Sequence, residues 1–174
     1  MKFIIIIFPL LFTLNKYSGP CENPSFKELE ALLGHNINTV PKYNCIKEVD
    51  TTMEDDEGED LKWKGKAYYY QSKLVFIVES NWVDKNKVNS ITIYSNKIKE
   101  GDLYVGQELK AIIGLVSSKI RPEPDGYLFL TYKKDNKIAV QLDVSKLPEN
   151  SVVFRIDNIS ELPGNLKVES IVIQ

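Results

Sequence analysis

Two short stretches of the chain place apolar residues at the spacing of an amphipathic helix. In residues 28–34 (ELEALLG) and 108–114 (ELKAIIG), the apolar positions fall at i, i+3 and i+4. Each stretch ends in a glycine, a residue that often terminates a helix in the left-handed conformation. Ser25 and Glu28 also have the spacing of a capping box. The pattern therefore predicts two helices, each of two to three turns.

After each stretch the pattern changes to one typical of β-strands. Residues 66–71 and 74–79 flank a two-residue turn at Ser72 and Lys73, which predicts a hairpin, and residues 88–94 follow as a third strand. In the second half of the chain we expect strands at 127–133, 137–142, 151–156 and 168–174.

The two halves share sequence at one constant offset. The helical stretches begin eighty positions apart, and so do KVNSITI (87–93) and KVESIVI (167–173), with nine identities in fourteen aligned positions. We therefore predict an α+β fold of two tandem helix-plus-β-meander repeats, 26–93 and 106–173. The repeats would form one mainly antiparallel sheet with the short helices on one face. The other face would be open to solvent or to a partner.

The N-terminus has the pattern of an export signal. Residues 3–14 are almost wholly apolar and lie between Lys2 and Lys16. Such a run is typical of a signal peptide and is shorter than the roughly 20 residues that a membrane-spanning helix needs. We predict a signal peptide at 1–19 and a single periplasmic or secreted domain at 20–174.

Cys21 and Cys45 are the only cysteines. An even number of cysteines in an exported protein indicates a disulfide bond. Two alternatives remain open: Cys21 carries the lipid anchor of an outer-membrane lipoprotein while Cys45 is free, or both thiols are free. Contact with a membrane is expected only for the lipidated form.

Charge and composition exclude several function classes. The chain has 22 basic and 24 acidic residues, so it lacks the broad basic surface that duplex nucleic acids require. Its one histidine, His35, has no second histidine with which to bind a metal. No nucleotide-binding, zinc-protease or serine-hydrolase motif occurs, and we expect no cofactor, no metal and no catalytic residue. Hydrolysis by a pair of carboxylates stays open as an alternative.

An acidic segment at 48–60 holds eight carboxylates and is expected to be a solvated loop. Its alternatives are a calcium site, for which the ligand spacing is wrong, and a contact with a basic partner. The residues assigned to this acidic loop are Glu54, Asp55, Asp56, Glu57, Glu59 and Asp60.

Large aromatic residues cluster directly after the acidic segment. Strand alternation places Tyr68 and Tyr70 on one face of the sheet and Tyr69 on the other. Aromatic side chains on an open sheet face are effective interface anchors, so we predict a partner-binding role for Trp63, Tyr68, Tyr70 and Trp82. Core packing and the stacking of a sugar are the alternatives.

A helix-then-meander unit, duplicated in a small exported protein, resembles the β-lactamase-inhibitor-like architecture. The order KLVFIV, KVNSITI, VGQEL, DGYLFL also resembles uncharacterised bacterial envelope proteins. These resemblances imply the fold and the compartment more than an activity. The inhibitors of that architecture bind an enzyme with the concave face of the sheet, but no binding residue carries over to this sequence. We therefore expect a non-catalytic binding protein with a protein partner in the bacterial envelope. The alternatives are a carboxylate-based hydrolase, a carbohydrate-binding protein and a lipid-anchored structural protein.

Overall fold

The computed structural model describes residues 21–54, 62–122, 127–145, 147, 156 and 158–174. The predicted signal peptide at 1–19 lies outside the described residues, as do all but the last residue of the strand predicted at 151–156.

The described chain forms one eight-stranded antiparallel sheet with the strand order β1-β2-β3-β4-β8-β7-β6-β5. Consecutive strands pair with each other in two runs, β1–β4 and β5–β8, and β4 pairs with β8 between them. The strands are β1 (Lys47–Glu54), β2 (Lys62–Tyr70), β3 (Lys73–Glu79), β4 (Ser90–Ile93), β5 (Val116–Pro122), β6 (Leu128–Tyr132), β7 (Ile138–Leu142) and β8 (Val168–Ile173).

Helical structure is scarce in the described part of the chain. Helix α1 (Phe26–Glu30) has five residues and helix α2 (Leu109–Ile112) has four. Two 3₁₀ turns, Ile37–Thr39 and Ile159–Glu161, add three residues each.

The predicted fold class is therefore wrong. The protein is mostly sheet, with two very short helices, and is not a pair of helix-plus-strand repeats with helices on one face. Helices of four and five residues are too short to form a layer over eight strands. Loop residues supply much of the cover instead, among them Val88, Ile98, Leu103 and Leu166, all of which are buried in the main hydrophobic cluster.

One face of the sheet carries that cluster and is called the buried face below. In the middle of this face, a row of residues crosses seven strands, and each residue pairs with the next on the neighbouring strand. The row consists of Tyr68, Phe76, Ile93, Ile171, Val140, Leu130 and Ile120. Leu29 of α1 and Ile112 of α2 are fully buried in the same cluster. The first two apolar positions of each predicted stripe are thus buried, whereas at the third position Leu33 is only partly buried and Ile113 is 48% exposed.

The ends of the first helix follow the sequence signals closely. Ser25 caps α1, and its hydroxyl oxygen accepts a hydrogen bond from the Glu28 N–H while the Glu28 carboxylate accepts one from the Ser25 N–H. Gly34 has a left-handed φ of 77°, as expected. Gly114 occupies the equivalent place after α2 but does not have a positive φ, so that expectation is wrong for the second helix.

The sequence pattern did not predict β1 and β5, which are the two edge strands of the sheet. In β1 the sequence KEVDTTME has only two apolar residues, Val49 and Met53. Polar and charged residues are common on edge strands because they discourage pairing with another chain. The first part of the acidic segment is therefore a strand rather than a loop.

The predicted disulfide bond is confirmed. Cys21 and Cys45 are bridged, with their Cα atoms 5.5 Å apart. The bond ties the start of the described chain to the segment that leads into β1. In the part of the chain that the structure describes, no helix has the length and apolar character needed to cross a membrane.

Candidate partner-binding surface

Tyr68, one of the four predicted contact residues, lies in the core. Its side chain is 0% exposed, and its ring stacks on that of Phe76 with the ring centroids 4.3 Å apart. Tyr43 contacts both rings edge-on. Burial and the adjacent Glu48 raise the pKa of the Tyr68 hydroxyl, which donates a hydrogen bond of 3.3 Å to the Glu48 carboxylate. Tyr68 therefore has a packing role here.

The other three predicted residues do not share one surface. Tyr70 is half-buried at the end of β2, and the Lys97 ammonium lies 5.3 Å from its ring centroid. Trp82 is 58% exposed in the loop between β3 and β4. Trp63 is half-buried and, by strand alternation, points to the face opposite to that of Tyr68.

The opposite face of the sheet has an apolar character of its own. A second row of paired residues crosses this face. It consists of Val49, Ala67, Ile77, Thr92, Val172, Ala139 and Thr131. Ala67, Ala139 and Val172 are buried, yet they do not belong to the main hydrophobic cluster. The helices and 3₁₀ turns of the described chain bury their apolar residues in that main cluster, on the other side of the sheet.

Aromatic side chains border this row of small residues. Tyr69 on β2 and Phe129 on β6 are half-buried. Each lies two residues from a member of the row on its own strand, so strand alternation places both on the same face of the sheet as the row. Tyr94 and Tyr127, at the ends of β4 and β6, are 36% and 44% exposed. Together with Trp63 they form what we call the open face, defined by Val49, Trp63, Tyr69, Ile77, Tyr94, Tyr127 and Phe129. The open face combines a floor of small side chains with an aromatic border.

A glycine lets the edge strand pack onto the open face. A Cβ atom added at Gly65 would lie 2.8 Å from Cγ2 of Thr51 and 3.2 Å from Cγ of Met53. These two β1 side chains therefore lie across the backbone of β2. This contact fixes the edge of the open face beside Trp63.

The open face also carries carboxylates in an unfavourable environment for charge. Burial raises the pKa of Glu79, against the effect of a 3.5 Å hydrogen bond from the Ser90 hydroxyl. Burial and the proximity of Asp143 raise the pKa of Glu169. Burial raises the pKa of Tyr94, and the nearby charges of Glu79 and Glu169 raise it further. The carboxylates of Glu79 and Glu169 therefore lie close enough to act on the Tyr94 hydroxyl.

On the buried face, the polar groups near the edge are paired. The Lys66 ammonium forms ion pairs with Glu48 and, at 3.1 Å, with Asp50. Burial alone would lower the pKa of Lys66, but its hydrogen bonds to the two carboxylates outweigh this and raise it. Two carboxylates of the acidic segment are thus structural partners of a lysine.

The remaining predicted site residues separate into two groups. Glu54 ends β1 and forms an exposed ion pair of 2.9 Å with Lys62. The rest of the predicted acidic loop, Asp55, Asp56, Glu57, Glu59 and Asp60, lies outside the described residues. Among the residues that the structure does describe, no group of three or more His, Cys, Asp or Glu side chains could hold a metal ion.

Comparisons with known proteins give a likeness of fold. No family model and no curated protein matches the chain. A solved structure, that of the uncharacterized protein yfeY from Escherichia coli, is similar with a TM-score of 0.56 and 8% sequence identity. The similarity covers 74% of this chain and 81% of yfeY. At this identity it supports a shared sheet-rich fold and carries no assignment to the β-lactamase-inhibitor-like architecture.

Proposed function

We propose that this chain is an exported, non-catalytic binding protein that contacts a protein partner of the bacterial envelope through the open face. One observation carries the proposal: aromatic and aliphatic side chains line a sheet face that lies outside the main hydrophobic cluster. Large aromatic residues around a floor of small ones provide the shape and buried area of an interface core. The Cys21–Cys45 bond is consistent with export.

Three clefts bear on the carboxylate-based hydrolase alternative. Three surface clefts in the described chain have volumes of about 430, 280 and 400 Å³. Among the described residues that line these three clefts, Asp50 alone carries a carboxylate, so none of the three holds a described pair. A hydrolase of the two-carboxylate type needs a pair of such groups flanking one substrate bond.

The disulfide bond also bears on the lipid-anchor alternative. A lipid anchor would need the Cys21 sulfur, which is bonded to Cys45 in this fold. We therefore favour attachment to the envelope through protein contacts rather than through a lipid on Cys21.

Site-specific photocrosslinking in the envelope of the native host tests the proposal. A photoreactive phenylalanine analogue replaces Tyr69 or Phe129 on the open face, and replaces Trp82 in a control variant. We expect discrete crosslinked species from both open-face positions and none of the same mass from position 82. An Ile77→Lys substitution should reduce the crosslink from position 69 about tenfold, because it places a charge in the middle of the apolar row. Equal crosslinking from all three positions, or none from the open face, would contradict the proposal.

A further inference from the structure

A cleft of about 430 Å³ opens at one end of the sheet, apart from the middle of the open face. It lies where the β2–β3 turn, the end of β4 and the loop before α2 meet, and we call it the end cleft. Its polar and aromatic lining residues include Asn23, Tyr70, Lys73, Tyr94, Asn96 and Lys97. The volume falls within the range of about 300–1,000 Å³ that is typical of small-molecule sites.

The charged residues that line the end cleft are cationic, although the carboxylates of Glu79 and Glu169 act on Tyr94 from the neighbouring open face. Lys73 and Lys97 both line the cleft, whereas no aspartate or glutamate in the described part of the chain does. Neither lysine forms an ion pair with a carboxylate among the described residues. Lys97 instead lies over the ring of Tyr70, at 5.3 Å from its centroid. Two ammonium groups that no described carboxylate neutralises favour an anionic ligand.

The uncharged lining groups have the chemistry that recognises hydroxyl groups. The amides of Asn23 and Asn96 can each donate and accept hydrogen bonds, as ring hydroxyls require. The rings of Tyr70 and Tyr94 offer flat apolar surfaces for the C–H face of a sugar ring. Asn23 is two residues from Cys21, so the disulfide bond helps to hold its amide at the cleft.

The lip of the end cleft is built from strained backbone. Gln71 and Ser72 form the β2–β3 turn with φ values of 47° and 64°, and Gln71 lines the cleft. Two-residue hairpin turns with a positive φ at both residues strongly prefer asparagine, aspartate or glycine, which tolerate that conformation. Strain of this kind is concentrated at ligand sites.

We infer that the end cleft binds a short saccharide that carries an anionic group, such as a carboxylate or a sulfate. The ammonium groups of Lys73 and Lys97 hold the anion, the asparagine amides bind the hydroxyl groups, and a tyrosine ring stacks on the sugar. This site shares Tyr94 with the open face but needs neither Trp63 nor Ile77, so it can be tested independently of the protein contact proposed above.

Isothermal titration calorimetry on the disulfide-bonded mature chain tests this inference. The probes are digalacturonic acid, an unsaturated chondroitin sulfate disaccharide, and the neutral disaccharide digalactose. We expect at least one charged probe to bind about tenfold more tightly than digalactose. The two charged probes distinguish a carboxylate alone from a sulfate as the preferred anion, and either preference supports the inference.

Matched lysine variants locate the binding. Lys97→Gln and Lys73→Gln should each weaken binding of the charged probe about fivefold or more. Lys99→Gln is the control, because the Lys99 ammonium also lies over a tyrosine ring, at 4.5 Å from the Tyr104 centroid, but does not line the cleft. These lysines are exposed, and an unchanged thermal unfolding midpoint shows that each variant is folded. Failure of both charged probes to bind, equal binding of digalactose, or an equal effect of Lys99→Gln would overturn the inference. Crosslinking from position 69 would be unaffected by that result.

Discussion

At the scale of single residues, Lys66 is the charged group whose surroundings matter most for stability. Its side chain is 13% exposed between two carboxylates, and the Glu48 carboxylate also accepts a hydrogen bond from Tyr68. Removal of the ammonium would leave Glu48 partly buried with no cation beside it. Removing one partner of a partly buried ion pair lowers the free energy of unfolding more than removing one partner of an exposed pair.

We therefore expect Lys66→Ala to lower the free energy of unfolding by about 1.5–3 kcal/mol, the value of hydrogen bonds to charged groups. Urea denaturation monitored by tryptophan fluorescence measures the change. The control is Lys62→Ala, since the Lys62–Glu54 pair is exposed on both sides and should contribute under about 1 kcal/mol. Equal effects of the two substitutions would show that the ion pairs of Lys66 with Glu48 and Asp50 contribute no more to stability than an exposed pair does.

Glu79 gives a prediction with a defined pH dependence. Burial raises its pKa in the folded protein above the ordinary value of 4.5. The folded state therefore binds this proton more tightly than the unfolded state does. The contribution of Glu79 to the free energy of unfolding is complete at low pH and is lost as the pH rises through the raised pKa.

Glu79→Gln should accordingly stabilise the protein at pH 7 and make little difference well below pH 4.5, where the carboxyl is protonated in both states. Thermal unfolding of both forms between pH 3 and pH 8 measures the gain. A variant that is less stable than the original at pH 7 would show that the ionised carboxylate is favourably solvated in the fold.

At the scale of elements, the two similar segments ELEALLG and ELKAIIG end in different ways. Gly34 has a left-handed φ of 77°, and its N–H donates to the Val88 carbonyl. Gly114 has no positive φ, and nothing lies within 4 Å of an added Cβ. The same sequence signal thus has two structural outcomes.

Alanine substitutions separate these outcomes. Gly34→Ala should destabilise the protein by about 1 kcal/mol, because alanine is strained in the left-handed region. Gly114→Ala should be neutral or stabilising by roughly 0.4–1 kcal/mol, because it reduces the conformational freedom of the unfolded chain. The difference between the two unfolding free energies is the measurement. Equal destabilisation would contradict the assigned backbone conformation at Gly114.

The limits of prediction from sequence are clearest at this scale. The central strands β2, β3, β4, β6, β7 and β8 were predicted within a few residues, because their apolar and β-branched runs are long. The edge strands β1 and β5 were missed because their sequences KEVDTTME and VSSKIRP are mostly polar. Pairing with a neighbour, rather than a local pattern, stabilises such strands.

The prediction of which sheet face is open was wrong for a related reason. Alternation correctly separates Tyr68 from Tyr69, but it does not reveal which face is covered. Tyr68 stacks on Phe76 in the core, whereas Tyr69 lies on the open face. Ile77, Tyr94 and Phe129 were missed as surface candidates because the register across strands, and not sequence proximity, places them beside Tyr69.

At the scale of the whole molecule, the disulfide bond holds the N-terminal segment to the sheet. It closes a loop with a sequence separation of 24 residues, and the loop contains α1 and the 3₁₀ turn at Ile37–Thr39. Both elements bury residues in the main hydrophobic cluster. Because the disulfide bond closes the loop that contains them, it helps to hold them against the sheet.

The paired substitution Cys21→Ser/Cys45→Ser should lower the free energy of unfolding by about 3.5 kcal/mol in the chain-entropy model. Urea denaturation measures the loss, and reduction of the unmodified protein should give a similar value. A change below about 1 kcal/mol would mean that the packing of Phe26 and Leu29 holds the segment without the bond.

The central claim is that the open face is accessible in the isolated protein and covered by a protein in the cell. Hydroxyl-radical footprinting of the purified chain and of the same chain in intact envelopes measures this for individual side chains. We predict that Trp63, Tyr69 and Phe129 are oxidised in the purified protein and protected in the envelope, while Trp82 is oxidised equally in both. Protease treatment of the envelopes should remove the protection. Equal oxidation of the three open-face residues in both samples would contradict the account.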